Sequence, residues 1–140
     1  VITKNIAIGS SIGQLRMSSD LDTVNHVRLT GSDSNSDIIV EVCDLDTIFY
    51  EGEYPSLIKI DVEGFELNVL KGLNHQIPFI SFEYCVPEMQ EKMHECLVQL
   101  NKISPNGKFN YSIEETMKLE LSNWVSFEEF VSISNSNLLA

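Results

Sequence analysis

The sequence predicts an α/β fold: a parallel sheet with helices on both faces and an antiparallel last strand. Three observations predict it. Strand-like and helix-like segments alternate along the chain, the order that a parallel sheet with crossover helices requires. The strand-like segments, "DIIVEVC", "SLIKIDV" and "PFISFEYC", are short and rich in β-branched and aromatic residues. The segments that follow them carry apolar residues at helical spacing.

Taken in order, "KNIAIGSSIGQLRM" reads as strand, turn, strand, with the Gly9–Gly13 region as the loop. The polar stretch at 30–37, "TGSDSNSD", reads as a surface loop. "DIIVEVCDL" is a strand, and in the following "DTIFYEG" Asp46 is placed as the N-cap of one or two helical turns. "SLIKIDV" is the next strand. In "FELNVLKGL", Phe65, Val69 and Leu73 fall at i, i+4 and i+8 with Leu70 beside them, so a short helix is expected. Glu66 in its first turn and Lys71 near its end match the helix dipole, and Gly72 is the expected stop.

Pro78 opens "PFISFEYC" where a missing N–H does least harm. "PEMQEKMHECLVQLNKI" is the strongest helical segment, with Met89, Met93, Cys96, Leu97 and Leu100 in one stripe. "FNYSIEETMKLEL" is read as a final strand or hairpin. "SNWVSFEEFVSI" is read as a capped last helix, with Ser126 as N-cap and Glu129 as the capping-box acid. Trp124 and Phe127 are expected to pack that helix, and "SNSN" at 134–137 to fray.

At 140 residues the chain has room for one domain, 1–140, and hardly for two. A hydrophobic content of 43% places it among globular chains. Its net charge of −12 repels phosphate backbones and anionic lipid, which argues against nucleic acid and membrane surfaces as partners. No apolar run approaches the roughly 20 residues of a membrane span, and no signal peptide is visible.

Cys43, Cys85 and Cys96 are odd in number, far apart and without metal-site spacing, so a reducing, cytoplasmic setting is expected. Cys43 and Cys85 are read as small buried hydrophobes. The triplet at Asn110 is read as a chance match to a glycosylation site, and His26, His75 and His94 as surface or cap residues.

The stretch with most chemistry is "SLIKIDVEGFE". Alternation puts Lys59, Asp61 and Glu63 on one face of the strand and Ile58, Ile60 and Val62 on the other. Mid-sheet, such a charged face is costly. It is tolerated on a wet edge strand, or as a Lys59–Asp61 ion pair that satisfies itself. It also fits the carboxyl end of a strand that opens onto a ligand cleft. The charges come last before Gly64 and the helix, which favours the cleft. In "FISFEYC", Glu83 stands in the equivalent place, so neighbouring strands would bring Asp61, Glu63 and Glu83 to one crevice. Such a group could bind a cation, bind hydroxyls, act as a base or hold a divalent metal.

"LIKIDVEGFELNVLKGL", followed by "PFISFEYC", closely resembles the core signature of the FkbM-type methyltransferases. That signature is a lysine, Asp-x-Glu-Gly, an acid two residues on, a Leu-x-Gly helix end and a strand ending in Glu. "NIAIGSSIGQLRM", "VCDLDTIF" and the looser "FNYSIEETMKLELSNWVSF" resemble flanking parts of the family, so most of the chain is covered.

The resemblance implies a Rossmann-like class I methyltransferase sheet, S-adenosylmethionine as cofactor, and O-methylation of a sugar or another small hydroxylated metabolite. It implies a cofactor-facing and catalytic role for Asp61, catalytic or hydroxyl-binding roles for Glu63 and Glu83, and an ion-pair role for Lys59 beside the substrate. Ala7 and Ile8 would wall the adenine, and Tyr84 would line the substrate pocket or belong to the core. A divalent metal between Asp61 and Glu83 is compatible with the class but not expected.

The family's first strand, its glycine-rich cofactor loop and the acid ending its second strand have no counterpart here. Gly9 and Gly13 lie between strands and do not precede a helix. The chain is therefore expected to be a C-terminal portion of the domain, with the N-terminal βα units, roughly 60–80 residues, missing. Strands from an N-terminal segment or from a homo-oligomer would complete it. Two other readings compete: a non-catalytic remnant or interaction module marked by an exposed apolar sheet edge, and a hydrolase using Asp61 and Glu83 as an acid/base pair.

Overall fold

The β-branched run Ile38–Cys43 forms a strand, β4, that is flanked on both sides in a four-stranded sheet. The computed structural model describes residues 1–17, 27–28, 38–49, 53–85, 88–114, 116 and 118–137. Within them the chain is mixed α/β and divides into two compact units, Val1–Glu83 and Tyr84–Ala140. The loop expected at 30–37, and His26, lie outside the described residues.

In the first unit, β1 (Ala7–Ile8) runs parallel to β4, pairing Ala7 with Val42 and Ile8 with Cys43. On the other side β2 (Gly13–Met17) is antiparallel to β4, and β3 (Val27–Arg28) is antiparallel to β2. β5 (Leu57–Ile60) and β6 (Phe79–Phe82) pair in parallel as a separate two-stranded sheet. The expected single parallel sheet is thus replaced, among the described residues, by a mixed sheet and a parallel pair.

Helix α1 (Leu45–Ile48) is one turn long. Its N-cap is Asp44, whose Oδ1 accepts the Thr47 N–H at 2.7 Å, and not the expected Asp46. Helix α2 (Glu66–Lys71) presents Val69 and Leu70 to the core, with Leu73 just beyond it. Gly72 ends this helix as expected, although its φ of −86° is open to any residue. The need for glycine is spatial: a Cβ there would collide with the Gly9 carbonyl oxygen and lie 2.9 Å from Asp44 Cβ. Val42, Cys43, Leu45 and Ile60 complete this unit's core. Burial, and then the charge of Asp44, push the Cys43 thiol up, so it behaves as an inert core group.

The second unit is built on α3 (Gln90–Ile103) and α4 (Phe127–Asn137). Met93, Cys96 and Leu97 of the predicted stripe are buried. Phe130 is buried too, its ring centroid 5.6 Å from Phe109 and 6.1 Å from Tyr111. The capping box forms as read: Ser126 N–H donates to Glu129 Oε2 at 2.9 Å and Glu129 N–H to Ser126 Oγ at 3.3 Å. Those bonds hold the Glu129 carboxyl below the usual carboxylate range.

Four expectations are corrected in this unit. Residues 134–137 are the end of α4 and do not fray from it. Trp124 is 50% exposed and not packed away as expected, whereas the Phe127 ring stands 6.2 Å from Phe109. Cys85 is exposed, not buried. The expected final strand reduces to one antiparallel bridge, Phe109 to Val125. Asn110 takes over the pairing there, accepting the N–H groups of Tyr111 and Leu121 and donating to the Leu121 carbonyl.

Candidate functional site

The candidate site lies in the first unit at the carboxyl end of β5. Alternation buries Ile60, only 3% exposed, and leaves Lys59 in water. One residue past the strand, Asp61 turns back to Lys59, with Nζ and Oδ2 2.8 Å apart and both side chains about half exposed or more. Beside them is an open pocket of about 310 Å³. Its wall is apolar, made by Ile58, Ile60, Val62, Val69 of α2, Leu45 of α1 and Ile8 of β1. Its charge is the Lys59–Asp61 pair.

Local structure explains how these residues meet. The Gly9 N–H bonds the Cys43 carbonyl at 2.9 Å, extending the β1–β4 pairing just past Ile8. The Asp44 cap then turns the chain so that Leu45 is buried. Asp46, next in line, accepts the Asn74 N–H at 3.0 Å and its Nδ2 at 2.8 Å, and lies 3.0 Å from His75 Nδ1. The Tyr54 ring stacks on His75 at a centroid distance of 4.4 Å. This clasp joins the helix that supplies Leu45 to the segment after the helix that supplies Val69. Burial pushes the Asp46 pKa up, but the bonds from His75 and Asn74 outweigh it and hold the group below its ordinary value.

Between β5 and α2 the chain turns sharply. Glu63 has φ 51° and Gly64 φ 93°, both in the left-handed region, and the Phe65 N–H closes the turn on the Val62 carbonyl at 3.3 Å. The Gly64 N–H donates to Glu66 Oε1 at 3.0 Å. Glu66 itself is 2% exposed.

Of the residues picked out by sequence, Lys59, Asp61 and Ile8 line the pocket, while Ala7 is half-buried outside its lining. The parallel register pairs Ile60 with Phe82, so Asp61 and Glu83 are the first residues past the last rung, on neighbouring strands. Glu83 is exposed and outside the lining. The left-handed turn takes Glu63 out of the strand's alternation, so it does not join Asp61 in the pocket wall. Tyr84 belongs to the second unit, where its hydroxyl lies 3.2 Å from Cys96 Sγ.

Sequence reading missed Leu45 and Val69 as pocket walls, the Asp46–Asn74–His75 clasp, and the burial of Glu66. The last was recoverable, because Glu66, Val69, Leu70 and Leu73 fall at i, i+3, i+4 and i+7. Among the described residues, no group of three or more His, Cys, Asp or Glu side chains is placed to hold a metal ion. No helix among them is long and apolar enough to cross a membrane.

The family model of the methyltransferase FkbM domain matches residues 3–129. No curated protein and no solved structure matches the chain.

Proposed function

The chain belongs to the methyltransferase FkbM domain family, and from that premise we propose that it is the C-terminal part of an S-adenosylmethionine-dependent methyltransferase domain with a Rossmann-like sheet. Its substrate would be a sugar or another small hydroxylated metabolite, and its setting the cytoplasm, in keeping with three free cysteines. The observation that carries the reading is the pocket: an apolar wall with a single carboxylate, Asp61, at the carboxyl end of a parallel strand.

The lining suits part of that cofactor. Ile8, Leu45, Ile60 and Val69 offer a surface for an aromatic ring, and Asp61 offers a counter-charge for a cationic centre. When bound, the cofactor supplies an electrophilic methyl group on a sulfonium. The protein's own work is placement and proton removal. Asp61 orients the cationic end, and Lys59 holds the Asp61 carboxylate in place through their 2.8 Å contact. Glu83, beside Asp61 in register, binds the acceptor hydroxyl or takes its proton, and Glu63, within the turn itself, is a second acceptor.

Calorimetric titration of the full natural chain with S-adenosylmethionine tests this. Saturable binding is expected, weakened about tenfold by Asp61→Asn, equivalent to one charge-assisted contact of about 1.4 kcal/mol. Absence of binding refutes the reading. A second reading, a non-catalytic interaction module, is favoured by one observation: Leu57 and Phe79, partners in the parallel register, are 60% and 58% exposed. Under it the titration is silent, and polar replacement of those two residues abolishes association with the partner that covers them.

A further inference from the structure

Two unfavourable features sit together in the short stretch between Val62 and Val69, both of which belong to the pocket wall. Glu63 holds a left-handed conformation that side chains resist. Three residues on, Glu66 is a carboxylate at 2% exposure. Its Oε1 accepts the Gly64 N–H, while its Oε2 has no hydrogen-bond partner among the described residues. A buried acceptor left unpaired destabilises a fold, and so does a buried charge without full pairing.

Leucine would suit this position better on packing grounds alone. Val69, Leu70 and Leu73, on the same face, are buried at 3%, 0% and 0% exposure. A helix-dipole role does not account for the acid either, since exposed carboxylates achieve that without desolvation. What Glu66 does that leucine could not is hold the Gly64 N–H, and with it the turn by which the chain leaves β5. Asp61 and Val62 are the residues leading into that turn.

We infer that Glu66 is a positioning residue: it pins the left-handed Glu63–Gly64 turn and thereby fixes where Asp61 and its Lys59 partner stand at the pocket. Stability is given up at Glu66 and Glu63 so that the pocket's charge has one defined place. The role does not depend on which ligand the pocket takes.

The test compares the full natural chain with its Glu66→Leu, Glu66→Met and Glu66→Gln variants. Three quantities are read: the melting temperature, amide exchange at Gly64, and the carboxyl resonance of Asp61. Glu66→Leu is expected to melt at or above the wild-type temperature, while Gly64 exchange accelerates at least tenfold and the Asp61 resonance moves. Glu66→Gln keeps an oxygen for the Gly64 N–H and is expected to restore both signals, with a lower melting temperature. Glu66→Met serves as the unbranched replacement should leucine not fold.

A purely structural acid gives the opposite pattern, a lower melting temperature in the apolar variants with Gly64 and Asp61 unchanged, and that overturns the inference. So does failure of both apolar variants to fold, or a Gln variant that behaves like Leu. S-adenosylmethionine affinity, measured in parallel, is expected to fall about tenfold in Glu66→Leu and to recover in Glu66→Gln. A wild-type chain that binds none refutes the methyltransferase reading alone, because Gly64 and Asp61 still decide the role of Glu66.

Discussion

Replacing Asp46 by alanine is expected to lower stability by about 1–2 kcal/mol at neutral pH and by less at pH 3. The carboxylate accepts two donors of Asn74, at 3.0 and 2.8 Å, and lies 3.0 Å from His75 Nδ1. Fully buried, each such charge-assisted bond would contribute about 1.5–3 kcal/mol. Here the Asp46 side chain is 21% exposed and that of His75 48%, so water recovers much of what is lost. That exposure brings the total down to about the value of one bond. The backbone bond from Asp46 N–H to the Gly72 carbonyl survives the substitution and does not enter the difference.

The pH dependence follows from the direction of the Asp46 shift. Its pKa in the folded chain lies below the ordinary 3.8, the pull of His75 and Asn74 exceeding the push of burial. A carboxyl depressed on folding contributes stability that is fully present above its unfolded value. That contribution is lost as pH falls through the folded one. The gap between wild type and Asp46→Ala should therefore be full at pH 7 and shrink below about pH 4. Urea unfolding of both proteins at pH 7 and pH 3 measures it, with a change in midpoint at constant slope as the signature. In a double-mutant cycle with His75→Ala, the two substitutions should be less than additive. Equal gaps at both pH values would show that the charge of Asp46 is not what holds the clasp. No gap at pH 7 would refute the clasp itself.

Two further substitutions test the frame around the site. Gly72→Ala forces a Cβ against the Gly9 carbonyl oxygen and Asp44 Cβ. It should cost about 1–3 kcal/mol by denaturant unfolding, as overpacking does, and a neutral result would mean that this close approach is not kept in solution. Ser126→Ala removes the hydroxyl cap of α4 and should cost about 1 kcal/mol, with the loss of helical circular dichroism beginning at lower temperature. An unchanged melting curve would show that the cap is not contributing.

How much of this was legible in the sequence depended on the range of the interaction involved. The helices were readable because their signals are local. Met93, Cys96 and Leu97 fall on one helical stripe, and Ser126 and Glu129 stand three residues apart. Strand partners were not readable in the same way. Nothing in "IAIGSSIGQLRM" states that its two strands take opposite sides of β4, one parallel and one antiparallel. The segment from Phe109 alternates well enough for a strand, yet beside the Phe109–Val125 bridge and the Glu120–Tyr111 backbone bond an asparagine side chain makes the remaining contacts. Asp46 was the expected cap, but Asp44 takes that place and partners 28 and 29 residues away hold Asp46 in the clasp.

The site divides along the same line. The Lys59–Asp61 pair follows from alternation along one strand, so its chemistry was visible before any fold was known. Besides a wet edge strand, the sequence allowed an ion pair that satisfies itself or a charge at a cleft, and these last two are one arrangement here, because the pair both closes on itself and lines the pocket. A cationic ligand at the Asp61 carboxylate shares it with an ammonium already 2.8 Å from Oδ2. Affinity then depends on how firmly Asp61 is held beside Lys59. A pocket rim fixed by a strained turn and a buried acid meets that demand better than a relaxed loop of the same length.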